Sequence, residues 1–244
     1  MTGRLRALWR LTALQASWNY ERMQGLGVAW ATLPLLAPLA ARDPARYRAA
    51  VARSTGFFNA NPYLAGAAVG AGAHEELAGA PGAAVERLRT ALCGPLGALG
   101  DQLFWMGTVP GLAAAALGAV ALGAGWWAPL TAVALHAMFR FRVSAWALDV
   151  GLHHGAGVGA RIQQSWLPRS VEWAGRGAAV LVGLAIPLAA GWLLADAPTQ
   201  RRWLAVALAL VFYRLMGRLA GRLSAVELTL AAMLLTFLWH WSTA

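Results

Sequence analysis

Long apolar runs, interrupted only by short clusters of charge, constrain this chain more than any other feature of its sequence. Of its 244 residues, 59% are apolar and 12% are charged, which is about half the charged share of a soluble domain. Residues 106–139 contain no Asp, Glu, Lys or Arg, and a helix needs about 20 apolar residues to cross a bilayer. The sequence therefore predicts an all-α membrane protein, a polytopic helical bundle rather than a soluble domain.

The basic residues, all of them arginine, are placed as expected for loops at a membrane surface. The net charge is +10, yet the arginines stand in short clusters between apolar runs, for example Arg87 with Arg89 and Arg161 with Arg169. This distribution favours cytoplasmic loops over a nucleic-acid groove, so no nucleic-acid partner is expected. The single cysteine, Cys93, is interpreted as a small packing residue.

The first two of three predicted regions cover the N-terminal half. Residues 1–24 form an amphipathic N-terminal helix region, because leucines recur at helical spacing among arginines. Residues 25–105 form a core of short apolar segments, interrupted by Pro34 and Pro38 and carrying a GxxxG face at Gly66 and Gly70. Residues 43–53, between the two prolines and the GxxxG face, are predicted to be a polar basic helix. Short apolar segments interrupted by Gly and Pro are typical of broken or re-entrant helices at transporter binding sites.

The third region, residues 106–244, is predicted to hold the clean transmembrane helices. Residues 106–139 suit two spans with a break near residues 125–129, and Arg140 and Arg142 are expected to close the second one. Further membrane helices are predicted at residues 177–195, 203–216 and 225–241.

Polar groups among these apolar runs are the candidates for function, because a polar group in a membrane is costly. The first cluster is residues 15–24, QASWNYERMQ, whose spacing alone favours a surface helix. The second is residues 57–62, FFNANP, in which Pro62 predicts that a helix stops at Asn61. Asn59 and Asn61 offer the donors and acceptors that sugar hydroxyls require. Capping of a helix end is an equally good interpretation of these asparagines.

Acidic residues supply the remaining candidates. Glu75 and Glu76 are adjacent, so on a helix they point about 100° apart; at most one is expected to line a site and the other to face water. Residues 94–105, GPLGALGDQLFW, combine three glycines and a proline with Asp101 and Trp105. The glycines and proline predict a break whose freed backbone lines a cavity or is buried in protein. A carboxylate can accept two sugar hydroxyls and an indole can stack on a pyranose, so this stretch is the strongest site signal.

The pair Asp149 and His153 lies one helical turn apart, with His154 beside it. A proton relay or metal site is conceivable there, but a polar helix end is favoured because no third ligand has suitable spacing. No nucleophile–base pair is visible either, so no catalytic residues and no cofactor are expected.

At these same residues the chain resembles a known family, the IID membrane subunit of mannose/fructose/sorbose sugar phosphotransferase systems. Residues 15–24 match the family's N-terminal signature, residues 57–62 resemble its FFNTHP stretch, Glu75 and Glu76 match its paired acids, and residues 94–105 resemble its GPLAGIGD-x-x-FW stretch. The resemblance covers residues from about 10 to 195. Asn61 stands where the family has His, and residues 139–142 replace a tyrosine/glycine motif.

The resemblance implies a multi-pass permease subunit in the bacterial cytoplasmic (inner) membrane, surrounded by lipid. It would pair with a IIC membrane subunit to carry a hexose inward, where IIB phosphorylates it with phosphate relayed by IIA, in a homo-oligomer of IIC–IID pairs. Five polar residues would either hydrogen-bond the sugar or fix the broken helices: Asn59, Asn61, Glu75, Glu76 and Asp101. Trp105 would supply an apolar wall. The alternative is a non-transporting scaffold or regulator that docks phosphotransferase components.

Overall fold

The computed structural model describes residues 2–195, 198–200, 203–204, 207–208, 211 and 214–215, which are mostly helical. Helices α1 to α5 cover Thr2–Leu11, Gly25–Thr32, Ala37–Arg42, Pro44–Ser54 and Ala65–Ala78. Helices α6 to α10 cover Gly82–Leu103, Val109–Ala121, Trp127–His154, Val158–Gln163 and Leu167–Leu193. The chain divides into two compact units, residues 1–190 and 191–244. All of the packing below is within the first unit.

The centre of the first unit is the glycine- and alanine-rich helix α5, which packs most extensively against α8. Glycines make this contact possible. A Cβ atom on Gly70 would lie 2.5 Å from the carbonyl oxygen of Leu148, and one on Gly151 would lie 2.2 Å from that of Ala67. The predicted GxxxG face is therefore a surface of close helix–helix contact.

The first helices follow the prediction in outline. Helix α1 ends at Leu11, and its inner face, including Ala7 and Leu8, is buried by protein, whereas Trp9 is exposed. The apolar segment that follows is interrupted between α2 and α3, near Pro34, as predicted. The polar basic helix is confirmed as α4, which begins after Asp43. The Asp43 carboxylate caps it by accepting a hydrogen bond from the Arg46 amide at 2.9 Å.

Helix α6 is continuous, so the predicted break within residues 94–100 is wrong. It runs unbroken to Leu103 with Pro95 inside it, continues through a π-helical turn at Phe104–Thr108, and leads into α7. The glycines serve a different purpose: a Cβ atom on Gly100 would lie 2.2 Å from that of Asn61. Gly97 and Gly100 give the extended segment of residues 57–61 room to lie against the helix.

Two helices in the second half are longer than predicted. Helix α8 continues through Arg140 and Arg142 instead of closing there, because the turns that follow pack through Ala147 and Leu148 against α5. The Arg140 guanidinium lies 5.5 Å from the centre of the Tyr63 ring. Helix α10 begins at Leu167, well before the predicted residue 177. Of the predicted helix at 203–216, the described residues are helical; the one at 225–241 lies outside the described residues.

The outer surfaces of α7, α8 and α10 are apolar. Exposed side chains there include Leu117, Val133, Met138, Leu184 and Ile186. The continuous helix Gly82–Ala121 and the helix Leu167–Leu193 are each long and apolar enough to cross a membrane. Apolar surface on this scale is typical of helices that face lipid or another membrane subunit.

Candidate functional site

A polar cleft of about 550 Å³ lies between α6 and the extended segment before α5. This volume is within the usual range for small-molecule sites. The residues that line it are Gln15, Gln24, Phe57, Asn59, Ala60, Pro62, Cys93, Gly94, Gly97, Ala98, Asp101 and Trp105.

Three of the predicted site residues meet in this cleft. Asn59 on the extended segment and Asp101 on α6 are both exposed, and Trp105, on the π-helical turn, is 47% exposed. An amide, a carboxylate and an indole face are the groups that bind hydroxyls and the apolar face of a sugar ring. The tilted contact between Trp105 and Tyr63, with ring centres 5.7 Å apart, helps to fix the indole.

Asn61 lies behind this surface and is only 1% exposed. Its side-chain amide donates a hydrogen bond to Asp101 Oδ1 at 3.0 Å, and its side-chain oxygen accepts one from the Tyr63 amide at 3.0 Å. The bond to the Tyr63 amide lies in the loop before α5 and is not the predicted cap, because the N-cap of α5 is Leu64 and no side chain caps this helix. Helix α4 already ends at Ser54, so the predicted helix stop at Asn61 is wrong. Asn61 orients the carboxylate of Asp101.

Glu75 and Glu76 do not line the cleft. Glu76 is buried and forms an ion pair with Arg53, with nitrogen–oxygen distances of 2.7 to 2.9 Å, and a longer one of 3.5 Å with Arg46. Glu75 accepts a hydrogen bond from the Ala156 amide at 2.7 Å. Both carboxylates therefore connect α5 to other elements, Glu76 to α4 and Glu75 to the 3-10 turn Gly155–Gly157.

Residues 15–24 do not form the predicted surface helix. A short 3-10 turn, Leu14–Ser17, leads into a loop in which Asn19 Oδ1 accepts hydrogen bonds from the amides of Glu21 and Arg22. Gln24 is buried, and its side chain binds both backbone groups of Ala60 at 2.8 and 3.3 Å.

Gln15 and Gln24 also line the cleft, although neither was among the predicted site residues. The sequence did indicate them, because residues 15–24 are rich in amide side chains. Because a surface helix was predicted there, neither glutamine was expected in the site.

Asp149 forms the polar helix end that was favoured. Its carboxylate pairs with the Arg4 guanidinium at 2.5 Å, and this hydrogen bond raises the pKa of Arg4 above its ordinary value. His153 Nδ1 bonds the Asp149 carbonyl oxygen one turn away. Within the described part of the chain, no cluster of three or more His, Cys, Asp or Glu residues is placed to hold a metal ion.

Long apolar helices with exposed apolar faces define a helical membrane protein, and the polar cleft is its candidate small-molecule site. Residues 3–241 match the family model of the PTS system mannose/fructose/sorbose family IID component, and the chain belongs to this family.

The names of its relatives agree with this family. The mannose-specific EIID component of Escherichia coli (strain K12) is 29% identical over 170 residues, which are 68% of this chain and 60% of that protein. The fructose permease IID component of Bacillus subtilis (strain 168) is 30% identical over 180 residues, or 70% of this chain and 62% of that protein. The chain thus matches only about 60% of the length of these relatives.

Two solved structures share the fold. One, described as a membrane protein, has a TM-score of 0.75, and the other, a cryo-EM structure of the mannose transporter ManYZ with microcin E492, has 0.58. Each is 21% identical to this chain and covers 99% of it. The match covers 97% of the first solved chain and 96% of the second.

Proposed function

We propose that this chain is the IID permease subunit of a phosphoenolpyruvate-dependent sugar phosphotransferase system. Together with a IIC subunit it forms the path for hexose uptake, coupled to phosphorylation by IIB with phosphate from IIA. It is a multi-pass protein of the bacterial cytoplasmic membrane and assembles as an oligomer of IIC–IID pairs. Family membership supports this proposal, and so do the names of its relatives, which are specific for mannose, fructose or sorbose.

The observation that carries the proposal is the meeting of Asp101, Asn59 and Trp105 in one cleft. Asp101 accepts hydrogen bonds from two sugar hydroxyls, while Asn61 holds its other side through the 3.0 Å hydrogen bond. Asn59 donates to and accepts from further hydroxyls, and the indole of Trp105 covers an apolar face of the ring. Glu75 and Glu76 are left out of this site because their carboxylates are bound elsewhere.

The cleft's openness fits a site shared with a partner subunit. Asp101 and Asn59 are exposed in this chain alone, and hydrogen bonds to sugar in open water compete with water itself. A IIC subunit that covers the cleft would exclude water and strengthen each of these bonds. Sugar affinity is therefore expected to require the IIC–IID pair.

Uptake of radiolabelled mannose, fructose and sorbose tests the proposal in cells that co-express this chain with its IIC, IIB and IIA proteins. Asp101→Ala removes two hydrogen bonds to a charged group, at about 1.5 kcal/mol or more each, so uptake should fall about a hundredfold. Gln102→Ala is the matched control, since Gln102 is the next residue on α6, exposed and outside the cleft. Normal uptake by Asp101→Ala, at equal membrane abundance, would contradict the site. Absence of uptake by the wild-type chain would instead favour the scaffold function.

A further inference from the structure

Arg89 is a buried cation on α6 that lies outside the cleft. It is 7% exposed, and its guanidinium donates hydrogen bonds to the backbone carbonyls of Arg53, Ser54 (3.0 Å) and Gly56 (3.5 Å). No ion pair between Arg89 and a carboxylate occurs among the described residues. Its charge is balanced instead by the carbonyl groups at the C-terminal end of α4, where the helix dipole is negative.

Those carbonyls stand at the start of one wall of the cleft. Helix α4 ends at Ser54, and the extended segment of residues 57–61 follows after Thr55 and Gly56. The opposite wall is α6, where Cys93 lies one turn after Arg89 and donates a hydrogen bond from its thiol to the Arg89 carbonyl at 3.5 Å. Arg89 therefore connects the two walls at the end where the segment leaves α4.

Other contacts fix the rest of the same segment. Gln24 binds both backbone groups of Ala60, and Asn61 binds Asp101. Phe58, which is fully buried, lies with its ring centre 5.9 Å from the Arg89 guanidinium carbon. Among the hydrogen bonds of the described residues, those from Arg89 join residues 53–56 to α6. Asn59, a proposed sugar ligand, lies next to Phe58.

We propose that Arg89 is a positioning residue that sets the spacing of the two cleft walls and thereby the affinity of the cleft for its hexose. This inference rests on the proposed function. A buried arginine without a carboxylate partner is costly to desolvate, and its hydrogen bonds to the three carbonyls offset this cost. A role in geometry accounts for Arg89 better than a role in stability, because all of its hydrogen bonds go to the carbonyls that begin the opposite wall.

The test compares Arg89→Met with Arg89→Lys and with Arg87→Met, in which an exposed arginine two residues away on the same helix is removed. A misplacement of about 1 Å can cost about a hundredfold, so partial displacement of one wall should raise KM for uptake about tenfold in Arg89→Met, with Vmax changed less than twofold. A lysine keeps the charge but cannot reach three carbonyls at once, so Arg89→Lys should show a smaller rise. Arg87→Met should match the wild type.

The native Cys93 gives a second readout that does not depend on transport. Because Cys93 lines the cleft, loosening of the opposite wall should speed its alkylation by a maleimide in sugar-free membrane vesicles at least threefold in Arg89→Met and not in Arg87→Met. The modified peptide is quantified by mass spectrometry. Unchanged KM and unchanged alkylation in Arg89→Met, or loss of folded protein in both Arg89 variants, would overturn the inference. If the wild-type chain transports no hexose, the proposed function fails, while the alkylation rates still decide whether Arg89 holds the wall.

Discussion

Gly100 is the position where the smallest change should disturb the proposed site most. A Cβ atom there would lie 2.2 Å from the Cβ of Asn61 and 2.4 Å from its Cγ. Carbon atoms in contact are about 3.5 to 4.0 Å apart, so Gly100→Ala must move Asn61 by more than about 1 Å. That movement lengthens the 3.0 Å hydrogen bond from Asn61 to Asp101 beyond its useful range.

The expected energetic cost of Gly100→Ala has three parts. Overpacking costs about 1–3 kcal/mol, and loss of a hydrogen bond to a charged group costs about 1.5–3 kcal/mol. The higher helix propensity of alanine returns about 1 kcal/mol. The variant should therefore lose about 1.5–5 kcal/mol of stability, and its freed Asp101 carboxylate should bind sugar more weakly.

Gly94→Ala is the matched control, because Gly94 lies on the same helix and lines the same cleft. A Cβ atom on Gly94 would meet no atom of the described residues within 4 Å. Thermal unfolding in detergent measures stability, and labelled-hexose uptake at several concentrations gives KM. Gly100→Ala should unfold several degrees lower and show a raised KM, whereas Gly94→Ala should be as stable as the wild type or slightly more so. Equal stability and equal KM for the two variants would refute the packing of Asn61 against α6.

Two further substitutions test contacts away from the cleft. Glu76→Gln should lower stability by about 2–3 kcal/mol in detergent unfolding, because the partly buried Arg53 cation then lacks its carboxylate partner. A raised KM at normal stability would show that Glu76 belongs to the sugar site. Gly151→Ala should prevent stable folding, since its Cβ would lie 2.2 Å from the Ala67 carbonyl oxygen, whereas Gly159→Ala, where nothing described lies within 4 Å, should fold normally. Size-exclusion profiles of the two glycine variants separate these outcomes, and a monodisperse Gly151→Ala protein would contradict the α5–α8 packing.

Local patterns in the sequence were informative wherever the determining contact is within one helix or one turn. The polar helix α4, its cap at Asp43 and the interruption near Pro34 all follow from neighbouring residues. The close contact made by Gly66 and Gly70 could also be anticipated, because two small residues one turn apart leave a groove on a helix surface.

Tertiary contacts account for the features that the patterns did not predict. Gly97 and Gly100 of α6 look like helix breakers, yet they create the space that Ala60 and Asn61 occupy. The paired acids at Glu75 and Glu76 look like ligands, but Glu76 meets Arg53 of another helix. Arg89 looks like a loop arginine until the carbonyls at the end of α4 are known. In each case the deciding partner is more than twenty residues away, where periodicity carries no information.

Protection of Cys93 by sugar tests most directly whether the cleft binds a hexose. Cys93 is the single cysteine of the chain and lines the cleft with Asp101, so a bound sugar should cover its thiol. Membrane vesicles containing the IIC–IID pair are treated with a maleimide, with and without mannose, fructose or sorbose, and Cys93 modification is followed by mass spectrometry. At least one of these hexoses should slow the reaction severalfold in the wild type and leave it unchanged in Asp101→Ala. If no hexose that the wild type transports changes the rate of Cys93 modification, the assignment of the sugar to this cleft is contradicted.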